Sequence, residues 1–494
     1  MLLLALFGRR KLFSPLPLAM SRRSHSPSAP ASPRLAKRPR LDFEPLTSED
    51  YKDGLMLAPM VRSGALPTRL YSLKHGASLV WGPETVDKAI LHSERVVDPV
   101  TGVVSYMGKS GAIFTTHPVE KPYLIYQIGS ADPETAVQAA KMVMNDVAGF
   151  DLNCGCPKPF STHAGMGAAL LTNSDLLCAI LTALREAMPP EISISAKIRL
   201  LPTSDDTLKL VERIINTGVS ALTVHCRTRN QRKQQPAHID RLREIVDFVE
   251  GMGRGVAVIE NGDCGGYEDA IRIRGITGAH SCMIATAAEA NPTCFSPTPF
   301  VDLERTFIPQ YLRLGKYLGI YWGLTKYCAG MFEGKRTNRT RSELKDIRAS
   351  IRGAKGYKDI EGYAGTGSGE EEFREIVQAI EQRGGRRVKV QVLNSTSTTG
   401  KTEAAATEAA PSMISDKVPK SARDEHALTS TSDGDESKDG LHTPPTGSVD
   451  PSVMNAPLAP TNEMRMPLPA MITGELPTPT PTPRIGHQGR RKSV

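Results

Sequence analysis

The middle of the chain alternates short apolar runs with longer stretches whose apolar residues recur at helical spacing. The runs lie at 55–58, 78–81, 123–128, 149–152, 192–198, 221–224, 256–260 and 281–285. Between them the spacing predicts helices over 133–147, 174–187, 204–217 and 239–249. The first has a clear start signal, Asp132 as N-cap with Pro133 at the first helical position. Eight strands alternating with helices are what a (β/α)8 TIM barrel requires. The alternation by itself also fits a doubly wound α/β sheet.

The polar positions favour the ring. Chemically distinctive residues stand at or just past nearly every run: Pro59 and Met60, Glu84, Gln127, Asn153 with Cys156, Lys197 with Arg199, His225 with Arg227, Asn261-Gly262-Asp263, and Thr286. A barrel builds its site from the C-terminal ends of many strands, whereas a doubly wound sheet gathers it at one switch point.

Past Asn291-Pro292 the pattern changes. Tyr311, Leu314, Leu318, Tyr321, Leu324, Cys328 and Met331 fall at helical spacing, and 371–382 is amphipathic. Between them, 335–358 holds nine lysines and arginines against two acids, Glu343 and Asp346. We expect a small helical domain at 301–390 with a basic face, after a barrel at 51–300. Residues 1–50 are rich in Ser, Pro and Arg, and 391–494 in Ser, Thr, Pro and Ala. Both are expected to be disordered tails, because they bury too little apolar surface to offset ordering entropy.

Composition sharpens this. The 494 residues carry a formal charge of +8, which suits a polyanionic partner. The apolar head at 1–7 is too short to span a bilayer, so no membrane partner is expected. Basic residues from Arg9, with no acid before Asp42, leave a mitochondrial leader open, and Lys37-Arg38-Pro39-Arg40 leaves a nuclear patch open beside a cytoplasmic home. Met20 is a second candidate start. The eight cysteines show no zinc-ribbon spacing, so reduced thiols and no metal are expected.

One cysteine differs. In Asn153-Cys154-Gly155-Cys156-Pro157-Lys158 an apolar strand enters a turn that lifts Cys156, and a second glycine-rich loop, Gly165-Met166-Gly167, follows. A thiol there is placed to donate a proton. Lys197 and Arg199 share one strand face. A lysine inside a barrel mouth needs something negative opposite, and a reduced flavin offers that charge. Gln127 and His225 suit the flavin's amide edge. The loops after the last two strands commonly form a barrel's phosphate site. No Gly-x-Gly-x-x-Gly or Walker sequence marks a dinucleotide domain.

Ala58-Pro59-Met60-Val61-Arg62-Ser63-Gly64, Leu66-Pro67 and Arg69, the Gly155-Cys156-Pro157 loop, Gly165–Ala169, Lys197-Ile198-Arg199, Val224-His225, Asn261-Gly262 and Thr325-Lys326-Tyr327 together resemble the tRNA-dihydrouridine synthases. The likeness is to the eukaryotic branch acting at D-loop position 20. It spans about 53–335. It implies an FMN barrel followed by a helical tRNA-binding domain, with NADPH or NADH as reductant, tRNA as partner and a monomer. Pro59, Met60, Val61, Gln127, Lys197, His225, Asn261, Gly262 and Asp263 (through its main chain) would line FMN, with Ala285 and Thr286 at its phosphate. Asn153, Arg199 and Arg227 would hold the uracil, and Cys156 would protonate it. Cys154 stands where Met is frequent, Cys226 where Gly is common, and Thr286 where an Arg often meets the phosphate. No double-stranded-RNA-binding pattern follows the helical part. The rival expectations are an FMN barrel reducing a free pyrimidine or small enone, and a non-catalytic RNA-binding descendant.

Overall fold

The computed structural model describes residues 44–334, 340–383 and 385. Its strands are β1 (Leu55–Leu57), β2 (Leu79–Trp81), β3 (Thr85–Val86), β4 (Glu94–Val97), β5 (Val104–Gly108), β6 (Gly111–Thr116), β7 (Leu124–Gly129), β8 (Gly149–Asn153), β9 (Ser193–Leu200), β10 (Ala221–Thr228), β11 (Ala257–Asn261) and β12 (Ser281–Ile284). β1, β2 and β7 to β12 are the eight apolar runs. They pair in parallel in that order, and β12 closes on β1 with Leu55 opposite Cys282. Closure removes the doubly wound alternative and any exposed sheet edge.

The helices follow the spacing with small differences. Ser174–Ala187 and Ser204–Asn216 stand where expected. The helix after β7 ends at Val143, and a 3-10 turn, Met144–Asp146, finishes it. Asp132 caps it as expected, accepting from Thr135 N at 2.8 Å. The apolar pattern over 307–332 is two helices, Ile308–Tyr317 and Trp322–Met331. Gly319, at φ +65°, turns the chain between them, a conformation costly for any residue with a Cβ.

Two regions depart from expectation. Residues 44–50, assigned to the leader, belong to the fold. Leu46 is buried, its N–H donates to Glu191 O, and a Thr47–Asp50 capping box leads to Tyr51. Tyr51 is wholly buried, bonds Ser193 Oγ at 2.8 Å and packs edge-on against Trp81, plugging the N-terminal mouth of the barrel. Between β2 and β7, β4, β5 and β6 form an antiparallel meander. Arg69 secures it: Nε and Nη2 grip Glu120 at 2.9 and 2.6 Å, Nη1 reaches Gly64 O and Nη2 reaches Thr115 O.

The helices after β12 pack on the helix Leu66–Lys74 through a Tyr71–Phe307–Tyr311 aromatic cluster and a Thr68–Tyr311 hydroxyl bond of 2.9 Å. The basic stretch forms a helix, Arg341–Gly353. Arg341, Lys345, Arg352, Lys355 and Lys358 are exposed on and beyond it. Among the described residues no helix is long and apolar enough to cross a membrane. Residues 1–43 and 386–494 lie outside the described residues, so the leader signals and most of the expected tails are not placed.

Candidate active site

The barrel interior inverts the usual pattern. In β9 the inward residues are Ser193, Ser195, Lys197 and Arg199, while Ile194, Ala196 and Ile198 face the helices. Polar layers therefore climb the barrel. Ser193 meets Tyr51 at the base. Above it Asp151, fully buried, accepts from Ser195 Oγ at 2.7 Å and from Gln127 Nε2 at 2.8 Å. Next, Lys197 Nζ donates to Asn261 Oδ1 at 2.7 Å, and Asn261 Nδ2 donates to Met283 O at 2.8 Å. These bonds orient two amides. Gln127 commits its NH2 group downward and keeps its carbonyl oxygen for the mouth.

Above these layers opens a cavity of about 360 Å³. Pro59, Met60, Val61, Gln127, Asn153, Cys156, Lys197, Arg199, His225, Ala285 and Thr286 line it, so eleven of the fifteen expected site residues converge there. Asn261 sits just beneath, through Lys197. Gly262 and Asp263 follow it, outside the lining; the Asp263 carboxylate reaches Arg227 at 2.5 Å and Ala237 N at 2.8 Å. Arg227, expected to hold substrate, does not line the cavity. It is buried, with Nε on Gln235 O and Nη2 on Asp263, so it braces the 228–238 loop.

Cys156 is held up by local geometry. Asn153 Oδ1 accepts from Gly155 N at 2.9 Å and Cys156 N at 3.1 Å, a side-chain turn that lifts the thiol off the strand end. From the other side Ala168 N donates to Cys156 O at 2.9 Å. Gly167 allows that approach: its φ is +58°, and a Cβ there would stand 2.7 Å from Cys156 O and closer still to Ser161 Oγ. Burial raises the Cys156 thiol, the Lys158 main chain pulls it down less strongly, and Glu84, when ionised, adds a smaller upward push. The thiol is thus protonated at neutral pH.

The cations are set against one another. Burial, then Arg199, lower Lys197 to about 8, and Asp151 opposes that. Burial and the charges of Lys197, Arg199 and Arg227 drop His225 to about 2, leaving a neutral ring. Its Nε2 faces Arg227 Nη1 at 3.3 Å. Arginine only donates, so this bond assigns Nε2 as acceptor and Nδ1 as the N–H.

Sequence reasoning left several lining residues without a role: Glu84, Lys158, Phe160, Glu289 and Tyr327. Tyr327 comes from Trp322–Met331, so the helical part completes the wall. The same helix holds the loop after β1. Arg62 is in the left-handed region at φ +68°, its guanidinium lies over the Tyr327 ring at 5.3 Å, and its carbonyl accepts from Cys328 Sγ. The Thr325-Lys326-Tyr327 motif was the signal for this contact.

Behind the wall, outside the cavity, ligand-type atoms of buried Glu260, Cys264 and Cys282 lie within 4.8 Å of one another. No metal ligands were expected. Burial pushes Glu260 up to about 8, and Cys282 lies against its carboxyl. Neither Glu260 carboxyl oxygen has a hydrogen-bond partner among the described residues, and the Cys264 and Cys282 thiols donate to Gly266 O and Ala270 O.

A family model described as dihydrouridine synthase matches residues 56–383. A Schizosaccharomyces pombe protein named tRNA-dihydrouridine(20) synthase (NAD(P)+) is 45% identical over 322 residues, 63% of this chain and 64% of that one. A Saccharomyces cerevisiae protein of the same name is 43% identical over 264 residues, 50% and 67% of the two chains. A second S. cerevisiae protein, named tRNA-dihydrouridine(20a/20b) synthase (NAD(P)+), is 31% identical over 240 residues, 48% and 60%. This chain thus spans about two thirds of the length of the curated relatives it matches.

Proposed function

The chain belongs to the dihydrouridine synthase family, and from that premise we propose that it reduces the C5–C6 double bond of a D-loop uridine, at position 20, in tRNA. The observation that carries the reading is one cavity holding a protonated thiol, a buried ammonium and a neutral imidazole around an outward-facing amide carbonyl.

The donor set fits FMN. Gln127 offers an acceptor and His225 a donor to the pyrimidine edge of a flavin. Lys197 offers positive charge where a reduced flavin gathers negative charge. Pro59, Met60 and Val61 supply the apolar side wall. Asn261, Gly262 and the main chain of Asp263, Ala285 and Thr286 stand at strand ends where barrels bind phosphate, the Thr286 hydroxyl taking the place of an arginine. When bound and reduced by NADPH or NADH, FMN supplies the hydride for C6.

The chain's own residues do the rest. Cys156 delivers a proton to C5, which its raised pKa permits at neutral pH. Asn153 keeps the thiol above the mouth, and Arg199 holds the uracil. The guanidinium of Arg199 is anchored on Gly155 O at 2.8 Å and Thr228 O at 3.0 Å, so its position is set beforehand. The target base must leave its stack, at a cost of a few kcal/mol. Phosphate contacts from the exposed cations of 341–358 offset that cost. We take the acting unit to be a monomer.

Mapping dihydrouridine in tRNA of cells lacking the protein tests this. Wild type should restore position 20, and Cys156→Ala should lose roughly 10²- to 10⁴-fold in rate while its flavin remains reducible by NADPH. Restoration by Cys156→Ala refutes the proton assignment. Equal activity on free uridine favours the small-substrate rival.

A further inference from the structure

The thiol leaves each turnover as a thiolate, and the proton it gave must be replaced from somewhere. Glu84 lies between β2 and β3. Glu84 lines the same cavity as Cys156, Asn153 and Lys158. It packs closely there, since a Cβ on Gly129 would stand 2.7 Å from its Oε1. That oxygen is buried and has no hydrogen-bond partner among the described residues. Asn153 and Cys156 line the cavity beside it, and both pull the carboxyl downward against its burial. The other carboxylate lining the cavity, Glu289, is engaged by the Ser63 hydroxyl. Lys158 is exposed and contacts the thiol through its main chain. Ser161, beside the sulfur, is buried too deeply to exchange with bulk water.

We propose that Glu84 is a positioning residue that acts through Cys156, holding a proton on its buried carboxyl and returning it to the sulfur after each reduction. The inference rests on the reading of Cys156 as the proton donor. The balance is simple. Cys156 S–H gives its proton to C5 and becomes S⁻. The Glu84 carboxylic acid gives its proton to S⁻, restoring S–H and leaving a carboxylate. That carboxylate takes a proton from water as product leaves. No electrons move in either transfer. Burial already raises the Glu84 carboxyl, with the Asn153, Cys156 and Lys158 contacts pulling the other way. A thiolate formed beside it raises it further, because two adjacent negative charges disfavour each other. The acid therefore keeps its proton against loss to solvent until the sulfur takes it.

The test compares wild type, Glu84→Gln, Glu84→Ala and Cys156→Ala as full-length flavoproteins on unmodified tRNA transcript. Glu84→Gln should lower kcat roughly tenfold, less than the ~10²- to 10⁴-fold of a group that protonates substrate directly because solvent can also reprotonate the sulfur, with KM for tRNA and the rate of flavin reduction by NADPH held. Its kcat should fall with rising pH more steeply than that of wild type and should rise with the concentration of the acidic buffer component. In Glu84→Ala, added formate should recover part of kcat. A Glu84→Gln enzyme with wild-type kcat and pH profile overturns the proposal. So does loss of flavin binding in both Glu84 variants without formate rescue, which marks a structural role. If Cys156→Ala instead matches wild type on tRNA, the proton-donor reading itself has failed, whatever the Glu84 variants do.

Discussion

Asp151→Asn separates the shape of the barrel's polar interior from its charge. Asparagine keeps the volume and an acceptor for the Gln127 amide, and its own NH2 donates to the Ser195 hydroxyl. What disappears is one negative charge beneath Lys197. Asp151 pairs with Ser195, two residues before Lys197 on the neighbouring strand, a diagonal separation of roughly 7 Å. At an effective dielectric of about 20 two unit charges that far apart attract by roughly 2 kcal/mol, worth about one to two pKa units. Asp151, itself pushed up to about 6 by burial, carries its charge above that pH. Lys197, at about 8 with the carboxylate present, should therefore fall to neutrality or below in the variant.

A depressed lysine gives up its proton at lower pH. Between pH 7 and 8 the wild type still holds an ammonium where the variant holds a neutral amine. A flavin gains negative charge on reduction, so the variant's flavin should be harder to reduce, by about 30 mV for each unit by which Lys197 lies below the pH. Dye-equilibrated potentials of the two flavoproteins from pH 6 to 9 should nearly coincide at the acid end. At pH 8 the variant should lie lower by about 30–60 mV. Curves that overlay throughout, in variant protein with full flavin content, would refute the claim that Asp151 sets the charge of Lys197.

Gly167→Ala should fold, at a cost of about 1–3 kcal/mol for forcing a side chain into the left-handed region, yet lose at least tenfold in kcat, because its Cβ meets Cys156 O and Ser161 Oγ; unaltered kcat counts against the clamp. Arg69→Met strands Glu120, which is wholly buried, and should destabilise by about 3–5 kcal/mol; a thermal midpoint within 2 °C of wild type would contradict this. Neutralising Lys345, Arg352, Lys355 and Lys358 together should weaken tRNA binding and flatten its dependence on salt by about 0.7–0.9 in log–log slope for each phosphate no longer neutralised. An unchanged slope, measured by filter binding, removes 341–358 from the proposed tRNA surface.

The strands were legible because parallel strands buried on both faces read as apolar runs. Their C-terminal ends were harder to read for the reason that makes them useful. β9 and β10 continue to Leu200 and Thr228, through Lys197, Arg199, His225 and Arg227, and hydropathy stops where the chemistry starts. The 94–116 meander escaped notice because β4 is exposed along its length and shows no alternation. Its turn was written in Asp98-Pro99-Val100-Thr101-Gly102, where Asp98 Oδ1 accepts from the N–H groups of Val100 and Thr101. The role of Arg227 had no signal in the sequence, since its partners Gln235 O and Asp263 arrive by tertiary contact.

Three protons govern the pH range in which such a site can work, and the structure orders them. His225, at about 2, is neutral throughout, so it contributes no limb to a pH–rate profile. The Cys156 thiol lies above its ordinary range, so its loss of the transferable proton comes late in alkali. Of the groups that act up to the proton transfer, Lys197, at about 8, deprotonates first as pH rises; Glu84 acts afterwards and bears on kcat alone. The alkaline limb of kcat/KM should therefore report an ammonium rather than the Cys156 sulfur. The two assignments diverge experimentally: Asp151→Asn should carry that limb toward acid by about one to two units, whereas Cys156→Ser should lower the plateau and leave the limb in place. A limb that stays near pH 8 in the Asp151 variant belongs to some other group.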